Sequence, residues 1–194
     1  MRLLEERIRK DAVVAPGGVL KVGSFLNQQM DMELLEQLAE ELCYRFRDCG
    51  VNKVMTIEAS GIAMAALVAF RLHVPMVFVK KSKTSNLSGE LYTTEVTSFT
   101  HGNTYTAVVA KDYIRNTDRL LLVDDFLAHG EALLGMTRLA EMAGAQVAGA
   151  GILIEKAFQC GGEKARQAGL RVESLARISF MGDEGQIEFI PDGR

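Results

Sequence analysis

The segment 119–133, RLLLVDDFLAHGEAL, constrains the fold more than any other part of the sequence. Its unbroken aliphatic run, residues 120–123, is typical of a strand that is covered on both faces, as in a parallel sheet. Two adjacent acids, Asp124 and Asp125, follow the run, and a turn of small residues then opens a helix predicted over 131–142. A buried strand that leads through a short turn into a helix predicts an α/β fold.

Strand and helix patterns alternate along most of the chain. Apolar residues at helical spacing predict a helix that has Asp31 as its N-cap and stops near Gly50. Later strand runs alternate with helical runs, which predicts βαβ units and a mainly parallel, helix-covered sheet. The predicted strands are 53–58, 74–80, 119–123, 147–154, 172–179 and 186–190, and the later helices are 62–72, 131–142 and 165–170.

The polar segment 81–104 interrupts this alternation. Strand-forming residues at 91–99 and 105–110 predict a long hairpin. We expect residues 85–89 to form a mobile tip that closes over the substrate and excludes water. The alternative is a solvent-exposed hairpin with no part in catalysis.

Composition limits the function classes. The 194 residues, 48% hydrophobic and 24% charged, predict one folded domain over 1–194. A net charge of -3 gives no general attraction to nucleic acid or to anionic membranes, so we expect neither as a partner. No apolar stretch approaches the roughly 18 residues of a membrane span, and the N-terminus lacks a secretory signal, so a cytoplasmic location is expected. Three cysteines without a CxxC pair predict neither a disulfide framework nor a zinc site.

The turn after the acid pair has the properties of a phosphate site. Residues 128–132 offer successive backbone N–H groups at a helix N-terminus, and Gly130 allows close approach of an anion. The acid pair would repel a bare phosphate but would accept hydrogen bonds from sugar hydroxyls or bind a metal. The pattern therefore favours a sugar phosphate, against the alternative of an ordinary strand and capped helix.

The segment 123–132, VDDFLAHGEA, resembles the phosphoribosyl pyrophosphate (PRPP) binding motif of the type I phosphoribosyltransferases. The family's loop usually ends in Gly-Thr or a similar hydroxyl residue, whereas here His129 precedes Gly130 and Glu131 and Ala132 follow it. The departure removes a side-chain hydroxyl and leaves the backbone N–H donors in place.

Further segments are similar to the bacterial purine-salvage branch of the family, which uses xanthine. They are VLKVGSFLNQQMD, TIEASGIA, VPMVFVKKSK, GILIEKAFQ and RVESLARI. The resemblance implies the type I fold with a flexible hairpin lid and a base-covering hood formed by about residues 1–35. It also implies a homodimer, Mg²⁺ bound mainly through PRPP and pyrophosphate, and transfer of the phosphoribosyl group from PRPP to xanthine.

The same resemblance assigns residues to the two substrates. It places Ala128, His129, Gly130, Glu131 and Ala132 at the 5'-phosphate, and Leu20, Asn27 and Lys156 at the purine. Chemistry adds Asp124 and Asp125 as the catalytic groups that stabilise an oxocarbenium-like ribose. The leaving pyrophosphate needs cations and N–H donors, for which the candidates are Ala59, Ser60, Gly61 and one or more of Lys80, Lys81 and Lys83. The alternatives are solvent-facing lysines and a plain tight turn.

Base preference depends on two side chains. The Lys156 ammonium suits a 6-oxo purine better than adenine, unless it forms a salt bridge with Glu155 or another acid at a strand end. The Asn27 amide can donate to the 2-oxo group of xanthine, or it has a local cap role. We assign no general base, and His129 stays without a catalytic role. A guanine or hypoxanthine transferase, or a PRPP-sensing regulator, are the alternative functions.

Overall fold

The computed structural model describes residues 1–82, 89–98, 103–182 and 185–192. The helices are α1 (Arg2–Asp11), α2 (Met32–Arg45), α3 (Ile62–Leu72), α4 (Glu131–Met142) and α5 (Gly161–Gln167). The strands are β1 (Val13–Ala15), β2 (Val19–Lys21), β3 (Lys53–Ile57), β4 (Met76–Val79), β5 (Leu91–Ser98), β6 (Asn103–Ala110), β7 (Arg119–Leu127), β8 (Gln146–Lys156), β9 (Val172–Met181) and β10 (Ile187–Phe189). A π-helical turn, Gly23–Asn27, precedes α2.

The main sheet has the strand order β10-β9-β8-β7-β3-β4. All neighbours are parallel except β10, which runs antiparallel to β9 at one edge. The chain moves outward from β3 to β4 on one side and from β7 to β9 on the other, so the strand order reverses between β3 and β7. A crevice at the carboxyl ends of these two strands is where an open α/β sheet binds its ligand.

The crevice forms because β3 and β7 stop pairing before their carboxyl ends. β3 and β7 pair from Lys53 with Leu120 to Met55 with Leu122, and both strands continue beyond that point. β7 instead stays paired with β8 as far as Leu127 with Glu155. The carboxyl end of β7 is therefore held on one side by β8 and faces the turn after β3 on the other.

Two apolar layers cover the sheet. Leu121 and Val123 of β7 pack in the layer that contains α1, α2 and α3, whereas Leu120 and Leu122 pack in the layer that contains α4 and the β5–β6 hairpin. This alternation follows from the two-residue period of a strand. The aliphatic run that predicted a strand covered on both faces is thus confirmed.

The N-terminal segment adds a structure that the sequence patterns did not predict. α1 buries Leu4 and Ile8, which lie one turn apart on the same face, and charged residues occupy most of the rest of its surface. The short β1–β2 pair and the π-helical turn follow, and they bury Leu20 and Phe25 against the α1–α3 layer. This arrangement carries residue 27 over the carboxyl end of β7.

The predicted hairpin is present, but its tip is not where we expected. β5 and β6 pair from Leu91 with Ala110 to Ser98 with Asn103, so the connection of the hairpin falls between Ser98 and Asn103, outside the described residues. The expected tip at 85–89 was wrong because these residues precede β5; residues 85–88 lie outside the described part of the chain. Lys80 joins the hairpin to the end of β4 through two backbone hydrogen bonds with Val108, of 2.9 and 2.8 Å.

The observed boundaries of α2 and α5 agree only in part with those predicted from the local sequence. Asp31 caps α2 as predicted, since its carboxylate accepts the Leu34 N–H at 3.2 Å. The helix ends at Arg45 and not near Gly50, which adopts a positive φ in the following loop. α5 begins at Gly161, four residues before the predicted start. Within the described ranges, no helix has the length and apolar character needed to cross a membrane.

Candidate active site

The acid pair lies buried near the carboxyl end of β7, as predicted. Asp124 and Asp125 are 7% and 6% exposed. An Asp124 carboxylate oxygen accepts the N–H of Asp125 at 3.0 Å. Burial raises the pKa of Asp124 well above its usual value, the charge of Asp125 raises it further, and the charge of Lys81 opposes the change. Two adjacent carboxylates in this crevice form a strong acceptor for hydroxyl groups or for a cation.

Asp125 connects three parts of the predicted site. One of its oxygens accepts the Ser60 hydroxyl at 2.9 Å and the Phe126 N–H at 3.1 Å. The other accepts the Asn27 side-chain amide at 3.4 Å. The structure therefore brings together the residue expected at the base, the turn after β3 and the acid pair, although they are far apart in the sequence.

The turn after β3 packs directly on the acid pair. A Cβ atom at Gly61 would overlap the Thr56 hydroxyl and would lie 3.0 Å from an Asp124 carboxylate oxygen. Only glycine fits there without movement of the neighbours. Glu58 accepts the backbone N–H of Lys81 at 2.7 Å, so the turn is also connected to the segment after β4. Glu58 thus connects the turn that contains Ala59, Ser60 and Gly61 to Lys81.

The loop of residues 128–132 leads from β7 into α4. Gly130 has a φ of +88°, which favours glycine, and its carbonyl accepts the Leu134 N–H at 2.9 Å as the first bond of the helix. The Ala128 carbonyl accepts the N–H of Gly161 at 3.1 Å. The loop is therefore fixed at both ends, by α4 and by the start of α5.

A cavity of about 200 Å³ separates this loop from the hairpin. The residues of the loop, Ala128 to Ala132, line one side, and Val96, Thr97 and Tyr105 line the other. Lys81 also lines it, with its ammonium nitrogen 5.4 Å from the centre of the Tyr105 ring. This volume is small, and it suits a phosphate group and part of a sugar better than a complete nucleotide.

The residues expected at the purine lie on the N-terminal side. Leu20 and Asn27 line a second, wider cavity of about 740 Å³. Lys156 donates to the Gly18 carbonyl at 2.8 Å and lies 5.8 Å from the centre of the Phe126 ring. Burial lowers the pKa of Lys156. Asn27 thus reaches the acid pair through Asp125, whereas Lys156 lies against Phe126, the next residue of β7.

Lys156 is not the salt-bridge partner of Glu155. The Glu155 carboxylate accepts hydrogen bonds from Arg166, Ser174 and Arg177 on the opposite face of β8. Successive side chains of a strand point to opposite faces, so Lys156 is directed away from this cluster. The alternative interpretation of Lys156 as the partner of Glu155 is therefore wrong.

The other two lysine candidates are Lys80 and Lys83. Lys80 lines a separate cavity of about 540 Å³ beside β4, which otherwise contains none of the predicted site residues. This cavity is larger and more apolar than the one at the loop, but it lies away from the acid pair. Lys83 lies outside the described residues.

Sequence reasoning missed several neighbours of the site. Tyr105, the Gly18 carbonyl and Gly161 become neighbours only through long-range packing, and the sequence around them carries no local signal.

The carboxylates could contribute to a Mg²⁺ site but do not enclose one. Within the described ranges, no group of three or more His, Cys, Asp or Glu side chains is placed to hold a metal. Mg²⁺ commonly uses one or two carboxylates together with waters and substrate phosphates. Asp124 and Asp125 fit that limited role.

Residues 29–168 match the family described as the phosphoribosyl transferase domain. The chain belongs to this family. The phosphoribosyltransferase is 47% identical over 193 residues to a protein of Lachnoclostridium phytofermentans named xanthine phosphoribosyltransferase, a match that covers 99% of this chain and 100% of the relative. A relative of the same name from Lactobacillus delbrueckii subsp. bulgaricus is 49% identical over 189 residues, covering 97% of this chain and 100% of the relative. The predicted resemblance is confirmed.

Solved structures confirm the type I phosphoribosyltransferase fold. An adenine phosphoribosyltransferase of Giardia lamblia, complexed with 9-deazaadenine, has a TM-score of 0.78 at 24% identity, over 90% of this phosphoribosyltransferase and 97% of that chain. The enzyme of the same name from Thermoanaerobacter pseudethanolicus has a TM-score of 0.74 at 24% identity, over 90% and 99%. At this level of identity the likeness concerns the fold alone.

Proposed function

We propose that this phosphoribosyltransferase transfers the 5-phosphoribosyl group from PRPP to xanthine, giving xanthosine 5'-monophosphate (XMP) and pyrophosphate in purine salvage. The near full-length likeness to relatives named for this activity carries the choice of xanthine. The geometry supports the PRPP half of the reaction, because the acid pair, the 128–132 loop and the turn after β3 meet at one crevice.

The 5'-phosphate binds the 128–132 loop in this proposal. Ala128, His129, Gly130, Glu131 and Ala132 line the cavity of about 200 Å³ at the start of α4. Backbone N–H groups and the helix N-terminus attract an anion without any formal positive charge. A chain with a net charge of -3 therefore binds a highly anionic substrate through local donors.

The ribose lies against the acid pair. Breaking the bond from the anomeric carbon to pyrophosphate leaves positive charge on the ribose ring, while the electron pair leaves with pyrophosphate. The purine nitrogen then forms the new bond and gives up its N–H proton to water. Asp124 and Asp125 accept hydrogen bonds from the ribose hydroxyls and stabilise that charge. Their fixed positions, held by Ser60 and Asn27 at Asp125, reduce the reorganisation needed during the reaction.

Pyrophosphate binds the turn after β3. Ala59, Ser60 and Gly61 supply backbone donors, and Lys81 supplies a cation from the segment to which Glu58 is hydrogen-bonded. Mg²⁺, when bound with PRPP, neutralises charge on the leaving pyrophosphate. Asp124 and Asp125 are the residues of this chain that contribute to holding it.

The purine lies between Lys156, Asn27 and Leu20. The Lys156 ammonium donates to the 6-oxo group, and the Asn27 amide donates to the 2-oxo group. Leu20 contributes an apolar contact from the β1–β2 pair. Residues 1–35 form the hood over the base in a single catalytic domain of residues 1–194, and the β5–β6 hairpin serves as the lid. A homodimer, which the family resemblance implies, and a cytoplasmic location complete the proposal.

A radiometric assay with labelled xanthine, PRPP and Mg²⁺ tests this proposal. We expect XMP and pyrophosphate in equal amounts, and no XMP when PRPP is omitted. Absence of nucleotide product from a folded preparation would overturn the proposal. A gel-shift experiment with DNA from upstream of purine genes tests the regulator alternative, which requires tight, salt-sensitive binding that PRPP changes.

A further inference from the structure

Two glycines at the start of α5 fill the space between the 128–132 loop and a buried carboxylate. A Cβ atom at Gly161 would overlap the Ala128 carbonyl oxygen and lie 2.5 Å from the Gly130 nitrogen. A Cβ atom at Gly162 would overlap the Glu155 carboxylate. The backbone of α5 is therefore in direct contact with the loop on one side and with Glu155 on the other.

The Glu155 carboxylate holds α5 in this position. Glu155 is 1% exposed, and Arg166 of α5 donates to both of its oxygens at 2.7 Å. Ser174 and Arg177 of β9 donate to the second oxygen at 2.6 and 3.2 Å. A two-point arginine–carboxylate pair fixes orientation as well as distance. α5 is a short helix, so this pair restricts its whole length.

The contact with α5 fixes the orientation of the peptide groups in the 128–132 loop. The N–H of Gly161 binds the Ala128 carbonyl and turns that oxygen toward α5. The Gly130 nitrogen packs beside Gly161, and a Cβ at Gly130 would itself lie 3.1 Å from the Gly161 Cα. An anion site needs its carbonyl oxygens directed away from the anion. A shift of α5 by a few tenths of an ångström would therefore disturb this arrangement.

We propose that Gly161, Gly162, Glu155 and Arg166 are positioning residues for PRPP, acting through the 128–132 loop and not by contact with substrate. This inference rests on the proposed role of that loop in phosphate binding. The effect is selective for PRPP because Lys156, although adjacent to Glu155, points to the opposite face of β8 and is held by the Gly18 carbonyl. The purine side of the site therefore does not depend on α5.

The replacement Arg166→Lys tests the proposal, with Arg177→Lys as its matched control. Both arginines donate to Glu155, and their side chains are similarly exposed, at 33% and 37%. Only Arg166 lies on α5. Lysine cannot reproduce the two-point contact, so we expect Arg166→Lys to weaken PRPP binding about five-fold, measured by calorimetry with Mg²⁺. Arg177→Lys should change it less than about two-fold, and the xanthine KM should stay within about two-fold for both variants.

Gly161→Ala provides a second variant in which the ion pair is intact. The added methyl group meets the loop backbone, so PRPP affinity should fall by about ten-fold while the xanthine KM is retained. Equal losses of PRPP affinity in Arg166→Lys and Arg177→Lys would overturn the inference. A rise in the xanthine KM as large as the loss of PRPP affinity would overturn it too. The wild-type protein is assayed for XMP in parallel. A larger loss of PRPP affinity in Arg166→Lys than in Arg177→Lys, without XMP formation by the wild type, would contradict the proposed function alone. XMP formation by the wild type with equal PRPP affinities in the two variants would contradict this inference alone.

Discussion

The Asn27 side-chain amide donates to the Asp125 carboxylate across a distance of 3.4 Å. This contact joins the N-terminal segment, which we expect on the purine side of the crevice, to the acid pair near the carboxyl end of β7. An amide NH2 group has two N–H donors, and one is used by Asp125. The other is available to the 2-oxo group of xanthine.

Replacement of Asn27 should therefore affect bases that carry a 2-oxo group most. We expect Asn27→Ala to lower kcat/KM for xanthine by about ten-fold or more, since one hydrogen bond to the base is lost and Asp125 loses a donor. Hypoxanthine lacks the 2-oxo group and serves as the internal control, with a change of about three-fold or less. Equal losses for the two bases would show that Asn27 acts only through Asp125.

Asp125→Asn should nearly abolish turnover. The replacement keeps the size of the side chain but removes the negative charge expected to stabilise the ribose, so kcat should fall by about 100-fold or more. Asp118→Asn is the matched control, since Asp118 is also a buried aspartate but lies at the amino end of β7, where it pairs with Lys53. That variant should keep kcat within about three-fold and lose thermal stability. Similar kcat losses in both variants would contradict the role of Asp125.

Lys156→Ala should raise the KM for the purine much more than the KM for PRPP. The ammonium is expected at the 6-oxo group of the purine, so the KM for xanthine should rise by about 30-fold while that for PRPP changes less than about three-fold. Lys164→Ala, at an exposed position on α5, is the control and should leave both constants unchanged. A rise of both KM values to the same extent in Lys156→Ala would count against the assignment.

The free energy of unfolding should depend on pH through the ionisation of Glu155. Burial alone would raise the pKa of Glu155, but hydrogen bonds from Arg166 and Ser174 and the charges of Arg166 and Arg177 outweigh it and leave the pKa below its usual value. A carboxyl group whose pKa is lower in the folded state stabilises the fold above its unfolded pKa, and this contribution is lost as pH falls through the folded pKa.

Glu155→Gln should consequently destabilise the protein by about 2 kcal/mol at neutral pH, because Arg166 and Arg177 lose their partner. The difference in the free energy of unfolding from the wild type should shrink as the pH is lowered below 4.5, measured by denaturant titration at several pH values. Glu163→Gln, an exposed change on α5, is the control. A difference that stayed constant down to strongly acidic pH would contradict the ionised state of Glu155.

Elements with a strong local signal were predicted well. Strand β7 follows from a continuous aliphatic run, although it extends past the predicted end at residue 123 to Leu127 and so contains Asp124 and Asp125. The bounds of α3 and α4 match the predicted ranges. Asp31 caps α2 because an N-cap needs only its own helix. Each of these features depends on residues within a few positions of one another, which is the information that a single sequence holds.

Features that depend on distant contacts were not predicted. α5 starts at Gly161 although glycine disfavours helices, because only residues without a Cβ fit between the 128–132 loop and Glu155. The meeting of Asn27 with Asp125 depends on the π-helical turn before α2. The hairpin connection is a different case, because the predicted strands 91–99 and 105–110 already placed it close to the observed position, and the expected tip at 85–89 was inconsistent with those strands.

The most direct test of the substrate assignment is a comparison of kcat/KM for xanthine, guanine, hypoxanthine and adenine with one preparation at saturating PRPP and Mg²⁺. With Lys156 and Asn27 both donating to oxo groups, we predict the highest value for xanthine, lower values for guanine and hypoxanthine, and the lowest for adenine. A higher value for guanine or hypoxanthine than for xanthine, or turnover of adenine at a comparable rate, would contradict it.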